Sequence, residues 1–294
     1  MEERRAIDAF GAAALIGFAS LLAFNQVVIK VTGGGFNPVF QAGLRSAGAS
    51  LVLLLWMVWR RQPILIPRRI LPWAILAGGI FSFEFTCLFL ALDLTTVSRC
   101  SVIFYTMPVW LAVAAHLWLP GEQLTRTRSA GLALAVAGVI LALFDRSNGQ
   151  ASLAGDLLAL VATLGWAAVA LMVRMTPLGE LRPASQLMAQ VLFSAPLLLL
   201  AAPLFGPLVR ELEPIHWAGL AFQAICVASL GFLSWFWLLT IYRASSVAAF
   251  SFLSPVLAVV FGWALLGERI GPAVLVALVL VAAGIFLINR PARA

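Results

Sequence analysis

Long apolar stretches run along this chain, separated by short polar or proline-bearing breaks. A helix needs roughly 20 mostly apolar residues to cross a bilayer. On that rule the pattern predicts spans near residues 10–31, 38–59, 70–91, 97–118 and 126–144. After the polar break Asp145–Gln150 it predicts five more, near 154–174, 184–204, 215–240, 246–266 and 270–289. Pro63, Pro67 and Pro72 mark the second connector. Pro214 and Pro272 suit the first turns of the eighth and tenth spans, where a missing N–H costs little. The connectors are short, so no soluble domain is expected between spans. The first stretch is too long for a signal peptide and carries no cleavage pattern, so it is expected to remain as a helix.

Composition agrees with a lipid solvent. Hydrophobic residues make up 63% of the 294 and charged residues 11%, and the mean hydropathy is +1.03. Soluble domains carry about 25% charged residues, so this chain lacks the polar surface a soluble protein needs. Intrinsic disorder is excluded too, since it requires low hydrophobicity. The net charge of +7 is spread over short connectors and forms no basic, aromatic-interleaved face, so no nucleic-acid partner is expected. Anionic lipid headgroups account for it more simply. Cys87, Cys100 and Cys226 lie in apolar stretches and form no CxxC pattern; they read as small buried residues. His116 and His216 are far apart in sequence, so no metal site is expected. No GxxxxGK[ST] occurs, which argues against ATP hydrolysis, and no cofactor is expected.

Orientation follows from counting Lys and Arg in the connectors. If the N-terminus is cytoplasmic, 13 of the 19 fall on the cytoplasmic side and 5 on the other, with Arg45 inside a span. Both termini are therefore expected in the cytoplasm, which requires an even number of spans.

The chain also repeats itself. Ser98–Val109 (SRCSVIFYTMPV) aligns with Ser245–Val256 (SSVAAFSFLSPV), pairing Ser98 with Ser245 and Pro108 with Pro255. Gly121-Glu122 aligns with Gly267-Glu268, and Leu134, Ala137 and Gly138 align with Leu280, Ala283 and Gly284. One register with a single one-residue gap covers two spans and their connector. The expected organisation is two homologous halves, 1–146 and 147–294, of five spans each. A second copy with an odd number of spans enters the membrane from the opposite side. The fold class expected is thus an all-α polytopic membrane protein of ten helices in two inverted repeats, a recurrent device of secondary transporters.

Each half carries a late S-x9-P helix, a G-E turn and a small-residue final helix. In these features the whole chain resembles the EamA-type members of the drug/metabolite transporter superfamily. Ser82-Phe83-Glu84 with Cys87 and Ala91-Leu92, followed by Tyr105-Thr106-Met107-Pro108, is similar to the YddG amino-acid exporters. The early part of each half matches less well, with Phe24 and Trp166 as the best corresponding positions. The resemblance implies helices around a central cavity, a bacterial inner membrane, and export of amino acids or related metabolites. The oligomeric state is left open and is compatible with a monomer.

Polar residues inside the spans carry the functional expectation. A charge at mid-bilayer costs at least about 2.5 kcal/mol on insertion scales. Glu84 lies near the middle of span three, the only acidic residue deep in any span. It reads as a cavity carboxylate for a substrate ammonium or a proton, or else as a protonated carboxyl bonded to a neighbouring helix. Arg45, a third of the way into span two, could meet a substrate carboxylate or snorkel; the resemblance implies a structural or gating partner. Lys30 reads as an interfacial anchor. Asn25 and Gln26 are amides near mid-span and candidate substrate contacts. Ser98, Ser101, Tyr105 and Pro108 share one face of span four, as expected of a cavity wall. Gln186, Gln190 and Ser194 make a second polar stripe on span seven, explained nearly as well by interhelical packing.

Pro108 and Pro255 occupy equivalent mid-span positions, where proline removes a hydrogen bond and kinks a helix. They are the expected hinges. Trp56, Trp59, Trp73 and Trp118 read as interfacial or lipid-facing, while Trp166, Trp235 and Trp237 lie deeper and are cavity candidates. An aromatic pocket with few polar groups suits amino acids or drug-like cargo better than sugars or phosphates. Gly43/Ala47, Gly131/Ala135 and Ala13/Gly17 are small-residue pairs for close helix packing. Gly33-Gly34-Gly35 reads as a helix stop and flexible connector.

An intramembrane enzyme needs a nucleophile with a positioned base, yet both histidines lie near span ends and no HxxxxD or GxSG occurs. A membrane scaffold is disfavoured by the repeat, the paired prolines and Glu84. An exporter of lipophilic cations would use the same Glu84.

Overall fold

A computed structural model describes residues 7–119, 122–144, 152–242 and 250–289. Ser245, Gly121 and the break Asp145–Gln150 lie outside the described residues. The described residues are helical almost throughout, with one isolated bridge between Phe36 and Val209 in place of any sheet.

Helix α1 (Ala9–Thr32) starts where Asp8 accepts from the Gly11 N–H. Helix α2 (Pro38–Trp59) starts at Asn37, whose side chain accepts from Val39 and Phe40 N–H groups, with proline in the first turn. Helix α3 (Leu71–Leu94) follows. Span four is broken: α4 (Val97–Phe104), capped by Thr96, is separated from α5 (Met107–Trp118) by a tightened turn at Tyr105–Thr106. Helices α6 (Arg126–Phe144), α7 (Leu153–Met175) and α8 (Pro183–Ala201) continue the alternation. Span eight joins α9 (Pro214–Ala221) to α10 (Phe232–Ile241) through a π-helical stretch, Phe222–Gly231. In span nine the described residues open with a 3₁₀ turn at Phe250–Phe252 that leads into α11 (Leu253–Leu266). Helix α12 (Pro272–Asn289) is last.

Among the described residues, nine helices are long and apolar enough to cross a membrane, and Phe250–Leu266 is a shorter tenth. The chain is a polytopic helical membrane protein. The two ends of the bundle are named from α1, which starts at the near end and finishes at the far end.

The main packing partners lie in opposite halves. α6 packs on α12, α3 on α7 and α8, α2 on α8 and the π-helical stretch, α1 on α11, and α4 on both α7 and α11. These pairings map onto one another when each span is exchanged with the span five further on. The α6–α12 crossing depends on glycine at both helices: a Cβ on Gly131 would stand 2.8 Å from the Gly284 carbonyl oxygen, and one on Gly284 would stand 2.6 Å from that of Gly131. The Gly131/Ala135 pair read from the sequence is the surface that Gly284 meets.

The triple glycine is a packed seat and not a flexible connector. Arg210 N–H donates to the Gly35 carbonyl at 2.9 Å, the Arg210 guanidinium to the Gly33 carbonyl, and His216 lies directly against Gly34 and Gly35. Arg210 also forms two hydrogen bonds to Asp93, 2.7 and 2.9 Å, which hold its guanidinium pKa above the usual value.

Candidate functional site

The polar residues of α1–α4 converge where α3 meets α7. Glu84 is 2% exposed. Its backbone approaches α7 so closely that a Cβ on Gly165 would lie 3.1 Å from the Glu84 Cβ. Arg45, 3% exposed, lays its guanidinium over the Phe85 ring at 3.7 Å, with Phe89 and Phe81 at 5.5 and 5.9 Å. Cation–π contact of this kind is worth more where water is excluded. Arg45 Nε and Glu84 Oε2 are both enclosed without hydrogen-bond partners.

On the other side of Gly165, Trp166 stacks on Phe104 at 5.0 Å and stands edge-on to Tyr105 at 6.4 Å. The Gln26 amide donates to the Tyr105 hydroxyl at 3.3 Å, joining α1 to the break in span four. Carbonyls released by that break are partly satisfied by Thr163, whose hydroxyl lies 3.3 Å from both the Ile103 and Phe104 oxygens. Asn25 Oδ1, Gln26 Oε1 and Ser101 Oγ are buried with no hydrogen-bond partner. A buried polar atom left unpaired costs about 1–3 kcal/mol. Arg45 on the rings of α3 and Gln26 on Tyr105 thus carry unpaired polar atoms against aromatic walls.

The remaining candidates lie elsewhere. Gln186 donates to the Leu181 carbonyl at the start of α8, and the half-buried Gln190 follows one turn on. Ser194 donates to the Ser46 hydroxyl at 3.1 Å, so this stripe serves the α2–α8 contact at its buried end. Trp235 stacks on Phe18 at 4.8 Å within a separate near-end cluster of Leu15, Leu238 and Tyr242. Trp237 is 51% exposed and borders a near-end cleft. Depth along a span, the signal that made these residues cavity candidates, does not fix which way a ring points. Phe24 meets Phe222 and Phe261. Two clefts of about 420 Å³ lie away from these residues, neither bordered by Glu84 or Arg45: one near-end, between α1 and the Cys226–Leu238 stretch, the other far-end, bordered by Lys30, Thr95, Thr96 and Glu268.

Pro108 falls in the first turn of the second piece of span four, and Pro255 in the first turn of α11, directly after the 3₁₀ turn. Alanine at either position restores a backbone donor and relieves the ring's steric constraint. Pro108→Ala and Pro255→Ala are expected to shift the accessibility of the two ends several-fold. Thiol labelling of cysteines introduced at each mouth measures this, and unchanged rates in both variants would remove the hinges.

The far end holds a network that hydropathy had hidden. Arg99, counted as a connector residue, is 2% exposed and bound to the fully buried Asp156. Its Nη2 donates to Asp156 Oδ2 at 2.7 Å, and it also reaches the Ala142 carbonyl. Thr95 donates to the same carboxylate at 2.9 Å. Asp156 is thus a second buried acid beside Glu84. Lys30, expected as an interfacial anchor, donates to the Leu92 and Thr95 carbonyls, both at 2.7 Å. Between α1, α2 and the π-helical stretch runs a ladder, Gln41 to Gln223 and Gln223 to Thr32, each 3.2 Å. Both glutamines sit in apolar stretches, and that was their only sequence signal.

Apolar spans that pair between the two halves, a broken fourth span and enclosed polar groups beside it define a multi-pass membrane protein. The profile of the EamA-like transporter family matches residues 9–144 and again 153–290, and the chain belongs to that family. It is 25% identical over 279 residues to an uncharacterized transporter, YoaV, of Bacillus subtilis, covering 93% of this chain and 94% of that one. It is 28% identical to a probable amino-acid metabolite efflux pump of Salmonella typhimurium, covering 92% and 93%. It is also 28% identical over 153 residues to the aromatic amino acid exporter YddG of Ancylobacter novellus, 47% of this chain and 48% of that one. A solved crystal structure matches the fold with a TM-score of 0.67 at 20% identity, covering 94% of this chain and 97% of its own.

Proposed function

We propose that this chain is a secondary, ATP-independent transporter that exports amino acids and related small metabolites by alternating access. It lies in the cytoplasmic membrane with both termini in the cytoplasm, and residues 1–146 and 147–294 are its two inverted repeats. The observation that carries this reading is the set of enclosed, unpartnered polar atoms of Glu84, Arg45, Asn25, Gln26 and Ser101. Glu84 supplies an acceptor for an ammonium group and Arg45 a donor for a carboxylate. The neighbouring rings of Phe81, Phe85, Phe104, Tyr105 and Trp166 receive an apolar or aromatic side chain. Two relatives named for amino-acid efflux and aromatic amino-acid export support the same cargo. The two-fold pairing of helices supports interchange of two end-closed conformations.

The test is counterflow in proteoliposomes, with unlabelled cargo inside and labelled cargo outside. Exchange of apolar and aromatic amino acids above empty liposomes is the expected result. Exchange of a lipophilic cation alone would assign the Glu84 cluster to drug-like cargo, and no exchange by folded protein would leave a scaffold.

A further inference from the structure

The two G-E turns related by the repeat are found in different arrangements. At the far end, Glu268 is 5% exposed and reaches across the halves to the start of α4. Its Oε1 accepts from Val97 N–H at 2.6 Å, and its Oε2 accepts from Ser98 N–H at 2.9 Å and the Ser98 hydroxyl at 2.6 Å. A carboxylate on the first N–H groups of a helix is favourable both as a cap and against the helix dipole. Gly262 makes the room: a Cβ there would stand 2.6 Å from Glu268 Oε2 and 2.9 Å from Ser98 Oγ.

At the near end, the register partner Glu122 binds the Arg174 guanidinium, with side chains 37% and 40% exposed. Helix α7 starts at residue 153 and α1 at residue 9, an offset that carries Lys30 onto Arg174. Lys30 borders the same far-end cleft as Glu268. The cation that would match Arg174 is therefore already beside Glu268, held on the carbonyls of Leu92 and Thr95.

We propose that Glu268 is a releasable latch between the halves: it caps α4 while the far end is closed and moves to the Lys30 ammonium when that end opens. The Glu122–Arg174 pair displays the released arrangement in the other half. No covalent step is involved; three hydrogen bonds are exchanged for an ion pair. The latch rests on the alternating-access reading above, but its test uses no cargo, so its failure and the failure of transport are separate results.

The reporter is native Cys100, fully buried in α4 one turn inside Thr96, in a background with Cys87 and Cys226 replaced by alanine. A membrane-impermeant maleimide is applied to the purified full-length protein. Glu268→Gln is expected to speed Cys100 labelling by about tenfold, as loss of a charge-assisted contact predicts. Gly262→Ala displaces the carboxylate without altering it and is expected to speed labelling by a smaller factor. Wild-type rates in both variants overturn the latch. Rates equal to that of denatured protein in both also overturn it, since they mark a cap whose loss unfolds the chain. In the same labelling assay, Lys30→Met is expected to slow Cys100 labelling by removing the destination of the released carboxylate, and Lys30→Arg to restore it; a wild-type rate in Lys30→Met removes Lys30 as the destination.

Discussion

Replacing Glu84 with glutamine is expected to lower amino-acid exchange by at least about tenfold while leaving the protein folded. The magnitude follows from a hydrogen bond to a charged group, about 1.5–3 kcal/mol, with each 1.4 kcal/mol worth roughly tenfold. Glutamine keeps the size and removes the charge, so the α3–α7 approach at Gly165 is preserved. Glu84 Oε2 has no hydrogen-bond partner to lose, and thermal stability should change little. Counterflow rates and melting curves of the purified variant measure both. Wild-type exchange in folded Glu84→Gln would take the carboxylate out of the binding surface.

The largest expected stability loss is at Asp156. Asp156→Asn leaves Arg99 buried without its carboxylate, and breaking a buried pair by removing one partner costs about 3–5 kcal/mol. The Thr95 hydroxyl loses its carboxylate acceptor in the same change. A fall in the melting temperature of the detergent-solubilised protein is expected, larger than for any single change at Glu84. Replacing Arg99 and Asp156 together by apolar residues of similar volume should recover part of it, because the desolvation of two charges is then avoided. A melting temperature unchanged in Asp156→Asn would mean the pair adds nothing to the far-end contact.

The span pattern was legible almost to the residue because the bilayer imposes one rule on every segment. Predicted spans at 38–59, 97–118 and 126–144 coincide with the helices found. The break in span four was only half legible. Pro108 announced it, but the turn lies ahead of the proline, at Tyr105–Thr106. The π-helical stretch Phe222–Gly231 had no announcing residue, since no proline lies within it. Hydropathy also reads depth within one span and says nothing of a partner in the other half. Arg99, Asp156 and Glu268 sit at segment ends, where a charge looks solvated, and are buried because each meets the opposite repeat. Among the candidates named from residue type and position, Gln26, Tyr105 and Trp166 are brought into contact with one another. Trp235 was misplaced because aromatic depth alone cannot separate a ring beside Phe18 from one beside Phe104.

The most direct measurement is counterflow of labelled phenylalanine against three unlabelled interior compounds: phenylalanine, its N-acetyl derivative and its amide. If Glu84 holds the ammonium and Arg45 the carboxylate, phenylalanine drives exchange, and each derivative, lacking one charge, drives it at least about tenfold less well. Equal exchange with all three would contradict recognition of both charges by this cluster.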